Sequence, residues 1–161
     1  MTDKQINVQD FMTKQVVSVH PETPLLEAAQ ILMSRNFDGL PVVDHNGILA
    51  GLLTEYDLIS KSTMIHLPTF QKILWQMSVF EKDTSAFQKN VAEITRLAVR
   101  DVMNNDPLTF DEHTSYEDAV KTFMEHHRIN PIPVVDAKRK VVGVVSRFDI
   151  LKPFQFINNH V

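Results

Sequence analysis

Two short stretches carry the side chains best suited to chemistry. Gly51-Leu52-Leu53-Thr54-Glu55-Tyr56-Asp57 and Gly143-Val144-Val145-Ser146-Arg147-Phe148-Asp149 share the pattern G-h-h-[T/S]-x-h-D, where h is apolar. Each places a hydroxyl at the amino end of a helix directly after a strand, with a carboxylate three residues on. One account is structural: T-x-x-D and S-x-x-D are capping boxes, in which the acid reaches back to a backbone amide. The other account uses the same geometry for binding. A helix amino terminus presents unpaired amides and a partial positive charge to a phosphate, and Thr54 or Ser146 adds a donor. Asp57 or Asp149 could then hold the vicinal hydroxyls of a ribose. An apolar slot bounded by Leu40-Pro41 or Ile132-Pro133 could take a flat purine.

Other chemistry is thinly represented. The sequence has no G-x-S-x-G, no G-x-G-x-x-G and no Walker loop. Its adjacent histidines, His126 and His127, would point about 100° apart on a helix and match no paired metal-ligand spacing. An enzyme using Asp57 or Asp149 as a base would lack a second catalytic group. The expectation is a binding module with no catalytic residue and no metal. Its rival is a scaffold in which Thr54, Asp57, Ser146 and Asp149 are caps only.

The elements that position these groups also come twice. Asp10-Phe11-Met12-Thr13 returns as Asp101-Val102-Met103-Asn104, an offset of 101 − 10 = 91. Leu40-Pro41-Val42-Val43-Asp44 returns as Ile132-Pro133-Val134-Val135-Asp136, an offset of 132 − 40 = 92, so one residue is inserted, most simply before Arg128. Tandem copies bury more apolar surface together than apart, which predicts a pseudo-twofold pair with grooves across its interface. Each copy reads strand, helix, strand, strand, helix, an α+β architecture. In the first, Val16 to Val19 is β-branched, and Thr23 caps a helix with Pro24 at its first position. Leu25, Ala28, Ala29 and Leu32 form the buried stripe. In the second, Tyr116, Ala119, Val120 and Phe123 correspond, and Thr114 with Glu117 reads as a capping box. The next strands, Leu40 to Val43 and Ile48 to Leu53, are joined by Asp44-His45-Asn46-Gly47, a hairpin signal. Asp136-Ala137-Lys138-Arg139, without glycine, predicts a looser turn.

The domain reading is 8–60 for the first unit, 61–98 for a helical insertion and 99–152 for the second unit. In the insertion Phe70, Ile73, Leu74, Met77 and Phe80 are spaced as one helix face, and Phe87, Val91, Ile94 and Ala98 as another. Trp75 and Val79 lie on the opposite side of the first helix. With the repeat, they predict at least a homodimer.

The 161 residues carry a net charge of −4, with 43% apolar and 22% charged residues and no cysteine. No basic face is available for nucleic acid. The amino terminus lacks the apolar core of a signal peptide, and the longest apolar runs are strand-sized. A cytoplasmic protein is expected.

The opening D-h-M, the h-P-V-V-D strand with its turn, and the closing G-h-h-[T/S]-x-h-D, twice in this order and spacing, resemble tandem cystathionine-β-synthase-type (CBS) domains, the Bateman module. The resemblance covers about 8–60 and 99–152. It implies two α/β units side by side, two clefts that bind adenosine compounds such as AMP, ADP, ATP or S-adenosylmethionine, and association into a disc-like dimer. It implies a regulatory role in signal transduction through an unidentified downstream protein, with an adenine nucleotide as regulatory ligand. By the same resemblance, Asp57 and Asp149 would bind ribose, and Thr54 and Ser146 would sit by the phosphates. Val17-Ser18 with Gly39-Leu40-Pro41, and Leu108-Thr109 with Pro131-Ile132-Pro133, would contact adenine. Family members that grip phosphates often carry basic residues ahead of the h-P-V strand, where this chain has Asp38-Gly39 and Asn130-Pro131. Arg147 in one motif against Glu55 in the other, and Asn130 against Asp38, predict that a phosphate-bearing ligand prefers the cleft closed by Ser146 and Asp149.

Overall fold

The computed structural model describes residues 5–60 and 95–155. Apart from residues 95–98, the expected helical insertion falls outside this range, and so do Trp75 and Val79. Elements run α1 (Val8–Phe11), α2 (Leu25–Arg35), β1 (Gly39–Val43), β2 (Leu49–Thr54) and α3 (Glu55–Ser60). A 3-10 turn at Val99–Asp101 follows, then β3 (Phe110–Asp111), α4 (Tyr116–Glu125), β4 (Ile132–Val135) and β5 (Val141–Val145). A second 3-10 turn at Asp149–Leu151 leads into α5 (Lys152–Gln155). The inserted residue lies in the turn that follows α4.

Each unit is built on an antiparallel hairpin. Leu40 pairs with Leu53 in the first, and Ile132 with Val145 in the second. Both hairpins shift register at the same place, between Val42 and Val43 and between Val134 and Val135. A third strand joins β4 in parallel, with Phe110 opposite Val134. The strand expected over Val16 to Val19 shrinks to one parallel bridge, Val19 to Val42. Its amide still donates to the Pro41 carbonyl at 3.1 Å.

Three local expectations are corrected. Thr23 does not cap α2: its hydroxyl accepts from the His20 amide at 3.0 Å, and Pro24 occupies the cap position. Ser115, not Thr114, caps α4, accepting from the Asp118 amide at 3.1 Å. Thr114 instead accepts from the Asp111 amide at 3.2 Å. The turn at Asp136 is not looser than its counterpart. Asp44 Oδ1 accepts from Asn46 and Ile48 amides, and Asp136 Oδ1 from Lys138 and Lys140 amides, at 2.8 and 2.9 Å in both. Gly47 has φ +80° and Arg139 takes φ +61°, a left-handed conformation costly for a residue with a Cβ.

The two turns meet across the pseudo-twofold axis. The Leu49 amide donates to the Arg139 carbonyl at 2.9 Å and the Val141 amide to the Gly47 carbonyl at 3.2 Å. Arg139 is held in its costly conformation by this reciprocal contact.

The opening segments are exchanged between units. Val8, Phe11 and Met12 lie in one core with Phe110, Ala119, Phe123, Ile132, Val134 and Val145. Val99 and Val102 lie in the other with Val19, Leu25, Ala28, Leu32, Leu40 and Leu53. The amide of Val8 donates to Thr114 and that of Val99 to Thr23, both at 2.9 Å. Leu25 donates to Leu97 and Tyr116 to Ile6, also at 2.9 Å. The opening amide of α2 is thus satisfied by the other repeat's segment, which is why no Thr23 cap is needed. Asp10 and Asp101 fix these segments by accepting from the Asn7 and Ala98 amides at 2.9 Å. Burying each large apolar side chain here contributes about 1.5–3 kcal/mol.

The exchange explains the first residue of each G-h-h-[T/S]-x-h-D motif. A Cβ on Gly143 would lie 2.5 Å from Met12 Sδ, and one on Gly51 2.7 Å from the Asn104 carbonyl oxygen and 2.8 Å from Met103 Sδ. Each glycine makes room for the methionine of the exchanged segment.

Candidate functional site

Strand ends, helix starts and exchanged segments converge on two clefts. Both T/S-x-x-D boxes are closed. Asp57 Oδ2 accepts from the Thr54 amide at 2.9 Å and its hydroxyl at 2.7 Å. Asp149 Oδ2 accepts from the Ser146 amide at 2.7 Å and its hydroxyl at 2.8 Å. The capping account is therefore present in full, and it buries both carboxylates, to 9% and 5% exposure.

Asp149 is also held from outside its box. Its Oδ1 accepts from the Thr13 hydroxyl at 3.0 Å and pairs with Lys152 Nζ. Lys152 also donates to the Phe11 carbonyl at 3.0 Å and to Thr13 Oγ1 at 3.2 Å. The second unit's box is thus bolted to the exchanged segment of the first. Burial pushes the Asp149 carboxyl up, but hydrogen bonds from Lys152 and Ser146, with the lysine's charge, outweigh it and hold the group below the usual range.

The larger cleft, about 450 Å³, joins the Ser146–Asp149 box to the other unit's wall. Val17, Gly39 and Pro41 supply apolar lining from the first unit, Val144 and Pro131 from the second. Thr13, Gln15, Asn36 and Asp38 add polar groups, and Phe37 and Phe148 add rings. The smaller cleft, about 300 Å³, is lined by Leu52, Thr54, Tyr56, Asp57, Asn104, Arg128 and Ile129. There Arg128 donates to the Tyr56 hydroxyl at 2.8 Å and lies 5.3 Å over its ring, filling space.

Several site expectations change. Asp149 and Ser146 share a cleft with Val17, Gly39 and Pro41, so each site is assembled across the two repeats. Leu40 and Ile132 are fully buried in the two cores, and Pro133 is buried within β4. Ser18, Leu108 and Thr109 line neither cleft. Arg147 lines neither cleft: its guanidinium donates to the carbonyls of His126 and His127 and lies 5.9 Å over the Phe123 ring. The carbonyls that follow α4 attract it more than the start of the next helix does. Asn130 is consumed as well, donating to Asp38 and accepting from the Arg147 amide at 3.0 Å. Asp38, expected to burden the cleft of Thr54 and Asp57, lines the cleft of Asp149 instead.

Thr13, Asn104, Arg128 and Lys152 escaped the sequence reading. The exchange brings Thr13 and Asn104 to the clefts, and no local pattern signals it. Lys152 had a usable signal, standing three residues after Asp149 as an i, i+3 partner.

Among the described residues no His, Asp and Glu cluster could hold a metal ion, and no helix is long and apolar enough to cross a membrane.

The family model described as the CBS domain matches residues 8–63 and 99–155. The CBS domain-containing protein CBSX1, chloroplastic, of Arabidopsis thaliana is 30% identical over 90% of this chain. The chain spans 62% of that relative's length. A solved structure of CBSX2 in complex with AMP is 27% identical, covers 94% of this chain and 98% of its own, and superposes with a TM-score of 0.69. The CBS domain pair of protein MJ0100, in complex with 5′-methylthioadenosine and S-adenosyl-L-methionine, is 25% identical. It covers 95% of this chain and 98% of its own, with a TM-score of 0.65.

Proposed function

The chain belongs to the CBS domain family, and on that premise we propose that it is a non-catalytic regulatory module whose larger cleft binds an adenosine-containing ligand. The observation that carries this reading is the joining of the Ser146–Asp149 box to an apolar wall from the opposite repeat around about 450 Å³, a volume suited to a nucleoside. The purine would lie against Val17, Gly39 and Pro41. A ribose hydroxyl would take the place that Thr13 now holds on Asp149 Oδ1. Two relatives of similar fold hold AMP in one case and adenosine thioether or sulfonium compounds in the other, which supports the ligand class.

Displacing Thr13 reaches beyond the cleft. Thr13 belongs to the exchanged segment and pairs with Val144, so ligand and inter-unit contact draw on one hydroxyl. A ligand that binds one arrangement of the units better than another shifts their balance by that difference, and a partner protein would read the result. Homodimerisation and a cytoplasmic setting belong to the same reading.

Thermal shift and calorimetry with adenosine compounds test it. A ligand at about a hundred times its dissociation constant adds roughly 2.7 kcal/mol. Asp149→Ala should abolish that gain, and an unchanged gain would remove the carboxylate from the site.

The scaffold reading is favoured at the smaller cleft. Arg128 and Tyr56 close on each other there, and the Thr54–Asp57 pair completes its own cap.

A further inference from the structure

Resting on the adenosine-site reading, we propose that the larger cleft selects adenosine compounds whose 5′ substituent is neutral or positively charged over 5′-phosphates. With the purine on the apolar wall and the ribose at Asp149, the polar groups left for the 5′ substituent are the neutral Gln15 and the turn Asn36-Phe37-Asp38. That turn brings a second carboxylate into the cleft. Among the described residues, no lysine, arginine or histidine lines it.

The two cations at the Ser146–Asp149 end of the cleft, Lys152 and Arg147, are committed elsewhere. Lys152 has three protons to donate and meets three acceptors: Asp149, the Phe11 carbonyl and Thr13. Turning it to a phosphate would strip a buried carboxylate of its partner. Arg147 is spent on the carbonyls that end α4. Backbone donors are taken as well. The Ser146 amide serves Asp149, the Arg147 amide serves Asn130 at 3.0 Å, and the Asp149 amide serves the Ser146 carbonyl at 3.0 Å. The helix start that would otherwise attract an anion already gives these three amides to the chain itself.

A phosphate's negative charges would thus meet Asp38 and Asp149 in a partly enclosed cleft, where like charges repel more strongly than in bulk water. The rings of Phe37 and Phe148 point the same way. A sulfonium or thioether group is favoured against an aromatic face, and an anion is not.

Calorimetry on the full chain with 5′-methylthioadenosine, S-adenosylmethionine, AMP and ATP tests the proposal. The two sulfur nucleosides should bind at least about tenfold more tightly than AMP, with ATP weakest, a gap that one unfavourable charge contact accounts for. Asp38→Asn keeps the contact with Asn130 and should narrow the gap between S-adenosylmethionine and AMP several-fold. AMP or ATP binding as tightly as methylthioadenosine would overturn the selectivity and leave the adenosine site standing. An Asp38→Asn gap equal to wild type would overturn it too. Failure of all four compounds to bind would overturn the selectivity together with the adenosine-site reading.

Discussion

Asp149 faces a cleft of about 450 Å³ and Asp57, at the equivalent position, one of about 300 Å³. Their boxes match, each carboxylate closing on the amide and hydroxyl three residues before it. What differs is the side chains around them. Beside Asp57 stand Tyr56 and Arg128, locked together. The places corresponding to them hold Phe148, 79% exposed, and the left-handed turn at Asn36. Behind Asp149 stands Lys152, where the first copy has Ser60. A repeat preserves architecture through its backbone pairing, while one arginine in a turn decides whether a cleft is open.

The largest expected effect tests whether the two exchanges are equivalent. Alanine at Gly51 or Gly143 should destabilise by about 1–3 kcal/mol through overpacking, measured by urea unfolding. Gly51→Ala should cost more, because its Cβ would meet a backbone carbonyl at 2.7 Å, whereas that of Gly143 meets the flexible end of Met12. Equal losses would mean that the methionines alone set the fit.

Next come the turns. Arg139→Gly should stabilise by up to about 1 kcal/mol and Gly47→Ala destabilise by a similar amount, since both positions are left-handed. A destabilised Arg139→Gly would show that the arginine side chain contributes more than its backbone costs.

A smaller effect separates the two carboxylates. Asp149 has a depressed pKa in the folded chain, so its contribution to stability is present above the unfolded-state value and is lost as pH falls through the folded one. Lys152→Met should remove part of that acid dependence and about 0.5 kcal/mol at neutral pH, modest because the lysine is partly exposed. Thermal melts from neutral pH down to about pH 3 would show it. An unchanged pH profile would assign the depression to Ser146 alone.

The smallest effect lies at Glu55. Desolvation, with Asp38 and Asp57 nearby, raises its pKa. A raised acid contributes stability below its unfolded value, and that contribution fades as pH rises through the folded one. Glu55→Gln should therefore gain at most about 0.5 kcal/mol at neutral pH, solvent screening taken into account, and nothing in acid. Arg147→Gln, on the matching position, should show no such gain.

Much of this was legible in the chain. Repetition of Asp10-Phe11-Met12 and of the h-P-V-V-D strand gave the pseudo-twofold pair. T-x-x-D spacing gave caps that form with both the amide and the hydroxyl. The exchange was not legible, because periodicity shows that Phe11 and Val102 are buried without showing in which core. With it went the assembly of each cleft across repeats and the destination of Asp38. Glycine within a strand pattern was a readable sign of close backbone approach at Gly51 and Gly143. Arg147 misled because a first-turn residue can face either way, and the carbonyls of His126 and His127 decided it. Turn chemistry misled at Arg139, where contact across the axis overrides local preference.

The exchange of opening segments also bears on descent. In this chain each unit's core is completed by the segment that opens the other copy. Two identical single units joined by the same exchange would carry two identical clefts. Covalent fusion released that symmetry: a change in one copy no longer appeared in the other. Arg128 could then close one cleft and Lys152 brace the other within a single gene.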